Sequence, residues 1–300
     1  MKPRPGDERE LLELPTQTLR VLEPYPGLFA YYDGRVSGKR LYSEHPNWVD
    51  DGAYSLGIAS YSIVSGSEAL VYDTHISLSH ARFIRSHLGA RGVTSIRVVL
   101  SHWHDDHIAG NDVFADCEII ALRQTAEALS KHRTEIETGT PPISPLIMPN
   151  RLFEGQLDLV VGATNIELHH FNIHSADGNV LWLPESEVLL AGDTLEDTVT
   201  YIAEPAHIAT HIRELKRLQT WPIQHILPNH GDERKIATGG YEPSLIAANK
   251  SYLERIMAAS GRLLSVSLKE FVGAEIGSGS IIYFEPYEEI HRINLGLLQA

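Results

Sequence analysis

The sequence predicts an α/β protein built in layers around two sheets, and three observations predict it. The chain has 300 residues, 43% hydrophobic and 21% charged, so it can bury a sizeable core and is globular rather than disordered. Its predicted elements run strand-rich, helix, strand, helix, then strand-rich again and helical. That order suits two sheets better than one doubly wound parallel sheet. Its chemistry-bearing side chains each follow, or lie beside, the end of a predicted strand. Three stretches are expected: an N-terminal arm and aromatic loop region over 1–53, a main domain over 54–260, and a C-terminal extension over 261–300 packed on that domain.

Residues 1–24 are polar, with Leu11, Leu12, Leu14, Leu19, Val21 and Leu22 scattered among them, and read as an arm or short strand. Pro26, Gly27, Gly34, Gly38, Pro46 and Gly52 mark 25–54 as loop. Its aromatics (Tyr25, Phe29, Tyr31, Tyr32, Tyr42, Trp48 and Tyr54) are read as anchors of that loop, with pocket lining as the alternative. Residues 58–64 and 69–73 form two strands around the turn Ser65-Gly66-Ser67-Glu68. Leu78, Ala81, Ile84, Arg85 and Leu88 stand at helical spacing over 77–88. The β-branched run 96–100 is a buried strand, 108–115 is helix-like, 118–121 is a strand, 125–137 is a helix and 139–150 is a Pro-rich loop. Strands resume at 157–161, 166–171, 179–183 and 188–191. An amphipathic helix spans 206–219, a strand 223–227 and a helix 241–259, which Gly261 stops.

Composition excludes several function classes. Lys plus Arg is 25 and Asp plus Glu is 39, a net charge of −14, which repels a phosphate backbone and argues against a nucleic-acid partner. The single cysteine, Cys117, excludes an intrachain disulfide and Cys-rich metal modules, and is read as a buried small hydrophobe. No apolar run approaches the roughly 18 residues of a membrane helix, and the first residues show no signal-peptide pattern, so no membrane association and a cytoplasmic location are expected. Sixteen histidines are many, and histidine is the commonest metal ligand.

The histidines cluster. Ser101-His102-Trp103-His104-Asp105-Asp106-His107 places His-x-His-x-Asp-His directly after a predicted strand. Alternate residues of an extended segment point the same way, so His102 and His104 can reach one metal, and Asp106 and His107 can turn toward a second. His174, Asp193 and His230 each follow a predicted strand, the delivery to one rim that a metal site needs. Asp73 also ends a strand and is read as a carboxylate that holds the histidine loop. His207 and His211, four apart on a helix, can pair on zinc. With no acidic third ligand evident there, they are read as a solvated or packed helix face. His169 and His170 fall inside a strand on opposite faces and are read as structural, with a supporting role behind the ligands open for one of them.

Asp73, His102-x-His104-x-Asp106-His107, His174, Asp193 and His230-Gly231 resemble, in order, the motifs of the metallo-β-lactamase superfamily. The resemblance implies a four-layer αββα sandwich with the metals at one edge of the sheets. It implies that His102, His104 and His174 hold one metal, that Asp106, His107 and His230 hold the other, and that Asp193 bridges. The di-zinc β-lactamases carry Cys at that bridge. Asp193 with a complete Asp106-His107 pair is similar instead to glyoxalase II and the lactonases, although Glu196-Asp197-Thr198-Val199 replaces the Gly-Cys-Gly-Arg of glyoxalase II. By the same resemblance Tyr201 is a candidate substrate contact.

The chemistry implied is hydrolysis of a small-molecule ester, lactone, thioester or amide by metal-bound hydroxide, with Asp106 also moving a proton. Two Zn²⁺ per chain are expected, and the thiolate-free ligands also suit Mn²⁺ or Fe²⁺. The alternatives are an iron-dependent oxidoreductase of persulfide dioxygenase type and β-lactam hydrolysis as a side activity. The seven ligand-type residues argue against the dioxygenase, which uses one iron and fewer ligands. No Gly-x-Ser-x-Gly elbow supports a serine nucleophile. A homodimer is left open, as is the role of the aromatic run Tyr283-Phe284-Glu285-Pro286-Tyr287, which covers either the site or a partner chain.

Overall fold

The structure, a computed structural model, describes residues 11–258 and 266–297. Its first sheet contains, in spatial as in chain order, β1 (Arg20–Tyr25), β2 (Leu28–Asp33), β3 (Ile58–Ser65), β4 (Glu68–Tyr72), β5 (Ser95–Val99), β6 (Glu118–Leu122) and β7 (Arg151–Phe153). β1 to β4 pair antiparallel and β4 to β7 parallel. The parallel steps cross over through α1 (Leu78–Ala90), the short α2 (Asp105–Ile108) and α3 (Arg123–Thr138). The second sheet comprises β8 (Gln156–Val161), β9 (Thr164–His170), β10 (Asn179–Leu183), β11 (Val188–Gly192) and β12 (His225–Pro228), in the order β12-β11-β10-β9-β8. α4 (Ile208–Leu218) joins β11 to β12. It is followed after β12 by α5 (Glu233–Ala237), α6 (Ser244–Ala258), α7 (Leu268–Phe271), α8 (Gly273–Ser278) and α9 (Tyr287–Leu297).

Side-chain alternation sorts these elements into four layers. Leu28, Ala30 and Tyr32 of β2 pack with Leu70, Tyr72, Leu168, Leu181 and Leu190 between the two sheets. Phe29 and Tyr31 of the same strand point the other way, onto Ile84 and Leu88 of α1 and Leu129 of α3. On the far side, Val180, Leu189 and Ile226 meet Ile212 and Leu215 of α4 and Tyr252 of α6, and α7 and α9 add Leu268, Phe271, Tyr287 and Leu295. The αββα sandwich expected from the sequence is thus the architecture observed.

Two expectations within 25–54 are corrected. Leu28–Asp33 is a fully buried strand rather than loop, and Trp48–Tyr54 is helical. β2 is covered on both faces, so it shows a continuous apolar run instead of polar alternation, and Pro26-Gly27 before it supply the hairpin turn to β1. Phe29, Tyr31 and Tyr32 are therefore sheet core rather than anchors of a loop. Cys117, expected to be buried, is half-buried. Gly261 and the first ten residues lie outside the described residues. No described helix is long and apolar enough to cross a membrane.

Strand direction positions the site. β4 and β5 are parallel, and β9, β11 and β12 share one direction, so the segments that follow these five strands gather at one edge of the sandwich. Hydrogen bonds between the sheets tie that edge. The Tyr72 hydroxyl donates to the Asn179 carbonyl at 2.6 Å, the Asn179 amide to the Leu100 carbonyl at 2.7 Å, and the Tyr61 hydroxyl to the Pro228 carbonyl at 2.5 Å.

Candidate metal centre

His102, His104 and His174 form one group at this edge, and Asp106, His107, Asp193 and His230 form another. In the first group, His104 Nδ1 lies 2.9 Å from His102 Nε2 and 3.0 Å from His174 Nε2. His174 reaches in because its backbone adopts φ +66°, a left-handed conformation four residues past the end of β9. In the second group, Asp193 Oδ2 lies 3.1 Å from His107 Nε2 and 3.4 Å from His230 Nε2, while Asp106 Oδ2 lies 3.2 Å from His230 Nε2. The same Asp193 oxygen is 3.7 Å from His102 Nε2 and 3.8 Å from His174 Nε2, so it stands between the groups.

The outer nitrogens of these rings are held from behind. His107 Nδ1 donates to Asp73 Oδ2 at 2.9 Å, His174 Nδ1 to the Tyr201 carbonyl at 3.0 Å and His230 Nδ1 to the Gly57 carbonyl at 2.7 Å. Such partners fix the tautomer and aim the other nitrogen inward. Asp73 does more than orient one ring. At φ +67° and fully buried, it also accepts from the Ser101 backbone N–H at 2.6 Å and the Asn229 amide at 2.6 Å. One carboxylate thereby fastens the start of the histidine segment, His107 and the residue before His230.

The electrostatics of the two groups differ. Burial, reinforced by neighbouring histidines, holds His102 well below its ordinary pKa and takes His104 down to about 3, so these rings are neutral and present lone pairs. Burial opposes charge on His107 and His230 too, but the carboxylates of Asp106 and Asp193 push both well above the ordinary value. Against its own burial, Asp193 is held well below the carboxylate range by His107 and His230. The carboxylates that draw protons onto these rings would equally draw a cation. Three converging imidazole nitrogens cannot all satisfy one another, because a neutral imidazole has one donor and one acceptor. Asp193 Oδ1 is buried with no hydrogen-bond partner among the described residues. Both features fit a donor set for divalent metal ions.

A cavity of about 730 Å³ opens above the groups. Its apolar wall includes Trp48, Leu56, Trp103, Ile136, Ile290 and Ile293, and its floor includes His104, Asp106, His174, Asp193 and His230. Tyr201 lines it as well, and its backbone carbonyl receives the His174 ring N–H. Trp48 is the aromatic of the 25–54 segment that faces the cavity. His169 and His170 stand apart from both groups. His169 Nε2 lies 2.8 Å from Glu167, and His170 Nε2 donates to the Ala176 carbonyl at 2.8 Å.

Sequence reasoning missed two acidic residues. Glu196 lines the cavity, 3.6 Å from His174 Nδ1, and accepts from the Tyr201 N–H at 2.9 Å and the Tyr287 hydroxyl at 3.1 Å. Burial, aided by the charge of Asp193, pushes its pKa up to about 8. No local signal marks it, since Tyr287 lies 91 residues away in sequence. That contact also places the C-terminal aromatic run beside the site, on its own chain. The second residue is Glu204, which stands next to His207 and His211 and is the acidic neighbour that the helix face alone does not supply.

A family model described as the metallo-beta-lactamase superfamily matches residues 54–230. The chain belongs to the metallo-beta-lactamase superfamily. Within it, this hydrolase is 26% identical over 244 residues to the lactamase-like protein notP of Aspergillus sp. (strain MF297-2), covering 74% of this chain and 68% of that protein. It is 27% identical over 241 residues to the atrochrysone carboxyl ACP thioesterase AgnL7 of Paecilomyces divaricatus, covering 76% and 69%. Among solved structures, the DIM-1 metallo-beta-lactamase aligns with a TM-score of 0.62 and 20% identity over 82% of this chain and all of that one, a likeness of fold.

Proposed function

We propose that this metallo-beta-lactamase-fold protein is a two-zinc hydrolase that cleaves the acyl bond of a small apolar ester, lactone, thioester or amide. A thioester is the best supported of these. The observation that carries the reading is Asp193 Oδ2, which stands within 3.1–3.8 Å of nitrogens from both histidine groups on the floor of an apolar-walled cavity. His102, His104 and His174 would hold one ion, Asp106, His107 and His230 the other, and Asp193 would serve both. Mn²⁺ or Fe²⁺ would suit the same thiolate-free donors. When bound, such ions lower the pKa of water and act as Lewis acids toward an acyl oxygen.

The chain's own side chains supply the rest. Trp48, Trp103, Ile136, Ile290 and Ile293 would bind the acyl group and exclude water from it. Asp106, paired with His230 and partly exposed to the cavity, would take up and return a proton. Tyr201 would contact the substrate from the wall beside His174. The thioester preference draws on AgnL7, whose name states a thioesterase activity.

The test is a panel of apolar thioesters, esters, lactones and β-lactams offered to chelator-stripped and zinc-reconstituted protein, with bound zinc counted. Hydrolysis of at least one acyl substrate should vanish on stripping and return with two zinc ions per chain. Activity indifferent to stripping, or no acyl hydrolysis by fully reconstituted protein, would overturn the reading.

A further inference from the structure

A second histidine cluster lies outside the floor of the cavity, where the chain leaves the Tyr201 segment and begins α4. Glu204, His207 and His211 each offer one ligand atom, and these atoms all lie within 4.8 Å of one another. The spacings of three and four residues put them on one side of the helical turn Pro205–His207 and its continuation into α4. His207 Nδ1 already lies 2.7 Å from Glu204 Oε2. The Glu204 and His207 side chains are 31% and 44% exposed, so an ion can reach them from solvent.

His211 is the decisive member. It is only 1% exposed, on the helix face that also carries Ile208, Ile212 and Leu215. An apolar residue at this position would serve the core as well. Instead there is an imidazole whose Nε2 is buried with no hydrogen-bond partner among the described residues. Leaving a buried polar atom unpaired is destabilising, so native proteins rarely keep one without a use.

We propose that Glu204, His207 and His211 form a separate binding site for a zinc-class divalent ion. Two imidazoles and a carboxylate are a three-ligand zinc set that leaves a fourth position for water. The nitrogen donors disfavour Mg²⁺ and Ca²⁺, which take oxygen. Tetrahedral ligands at 2.0–2.1 Å from zinc stand about 3.4 Å apart, a closure that the two partly exposed side chains can make by rotation. The ion would pin the start of α4 to the segment that ends at Glu204. Three residues earlier in that segment, the Tyr201 carbonyl holds His174 Nδ1. The site therefore braces the wall behind His174 without touching the cavity floor, and it stands independently of the hydrolase reading.

The experiment compares the stripped full-length chain with Glu204→Gln and His207→Ala, each incubated with Zn²⁺, dialysed against zinc-free buffer and analysed for bound metal. Both substitutions fall on partly exposed side chains, so the core around His211 is left intact. Each variant should retain one zinc fewer than wild type. The difference is read whatever the absolute count, so failure of the two-zinc reading and failure of this one are distinguishable. A second measurement uses wild type alone: carbethoxylation of His207, read by peptide mass spectrometry, should be blocked by zinc and restored by chelator. Equal zinc retention in wild type and a folded variant would overturn the proposal, as would unprotected His207 in zinc-loaded wild type.

Discussion

Asp193 shows how much of this site depends on one side chain. Its Oδ2 is 3.1 Å from His107 Nε2 and 3.7 Å from His102 Nε2, while its Oδ1 is buried and unpartnered among the described residues. A carboxylate offers two oxygens to two centres, whereas a cysteine offers one softer sulfur on a shorter stem. Asp193→Cys should therefore leave the ion of His102, His104 and His174 in place and loosen the ion of Asp106, His107 and His230. Hydrolysis should fall by roughly 10–1000-fold, the range for losing part of a charge-stabilising contact. His169→Ala is the control, because that ring pairs with Glu167 and packs on Trp221 away from both groups. Zinc titration of the stripped proteins with turnover in parallel makes the comparison. Two equally tight sites and unchanged turnover in Asp193→Cys would rule out the bridging role proposed for Asp193.

At the scale of elements, the site depends on how closely α2 and the turn after it press on the end of β4. The Thr74 N–H donates to the His107 carbonyl at 2.8 Å, and the Thr74 hydroxyl donates to Asn111 Oδ1 at 2.8 Å. Between these two contacts, Gly110 packs so tightly that an added Cβ would stand 2.1 Å from the Thr74 carbonyl oxygen and 2.5 Å from the Ala81 Cβ. Backbone on one side and α1 on the other cannot both yield. Gly110→Ala should cost about 1–3 kcal/mol, occasionally more, and move α2 off Thr74 with Asp106 and His107. Thermal unfolding and zinc affinity check this, and wild-type values in both would show that the contact is slack. The segment carrying these residues was the most legible part of the sequence, because a β-branched run followed by His-x-His-x-Asp-His is a local pattern. Other elements left weaker traces. β2 is buried on both faces and bracketed by turn residues, so it lacks the alternation that betrays a strand. β7 has three residues and owes its existence to pairing with β6. Glu196 gains its role from Tyr287 and His174, which only the folded chain brings near. Glu204 was within reach of the His207 and His211 spacing, but it precedes the helix and a search confined to the helix face passes over it.

At the scale of the whole molecule, charge bears on what can be bound. The chain carries a formal −14, and the cavity lining follows the same bias. Asp51, Asp105, Glu135 and Glu289 line it with the floor carboxylates, and among the described residues no Lys or Arg does. Bound ions would add positive charge at the floor, but Asp106 and Asp193 offset part of it there, and Asp51, Glu135 and Glu289 belong to segments away from the His102–His107 segment, whereas Asp105 lies within it and burial pushes its pKa up to about 7. A substrate with a negative group remote from its acyl carbon would therefore meet carboxylates in the lining, where the neighbouring guanidiniums of Arg40 and Arg292 are already paired with Asp51 and Glu289. For two esters of equal size, one ending in a methyl group and one in a carboxylate, the neutral ester should have the higher kcat/KM, by about tenfold at low ionic strength. Since the Debye length falls from about 30 Å at 0.01 M salt to about 3 Å at 1 M, added salt should narrow the gap, mainly by improving the anionic ester. Steady-state kinetics of both esters across a salt series decides the matter. An anionic ester favoured at low salt, with the advantage lost as salt rises, would show that a cation reads the substrate and that the carboxylates do not set selectivity.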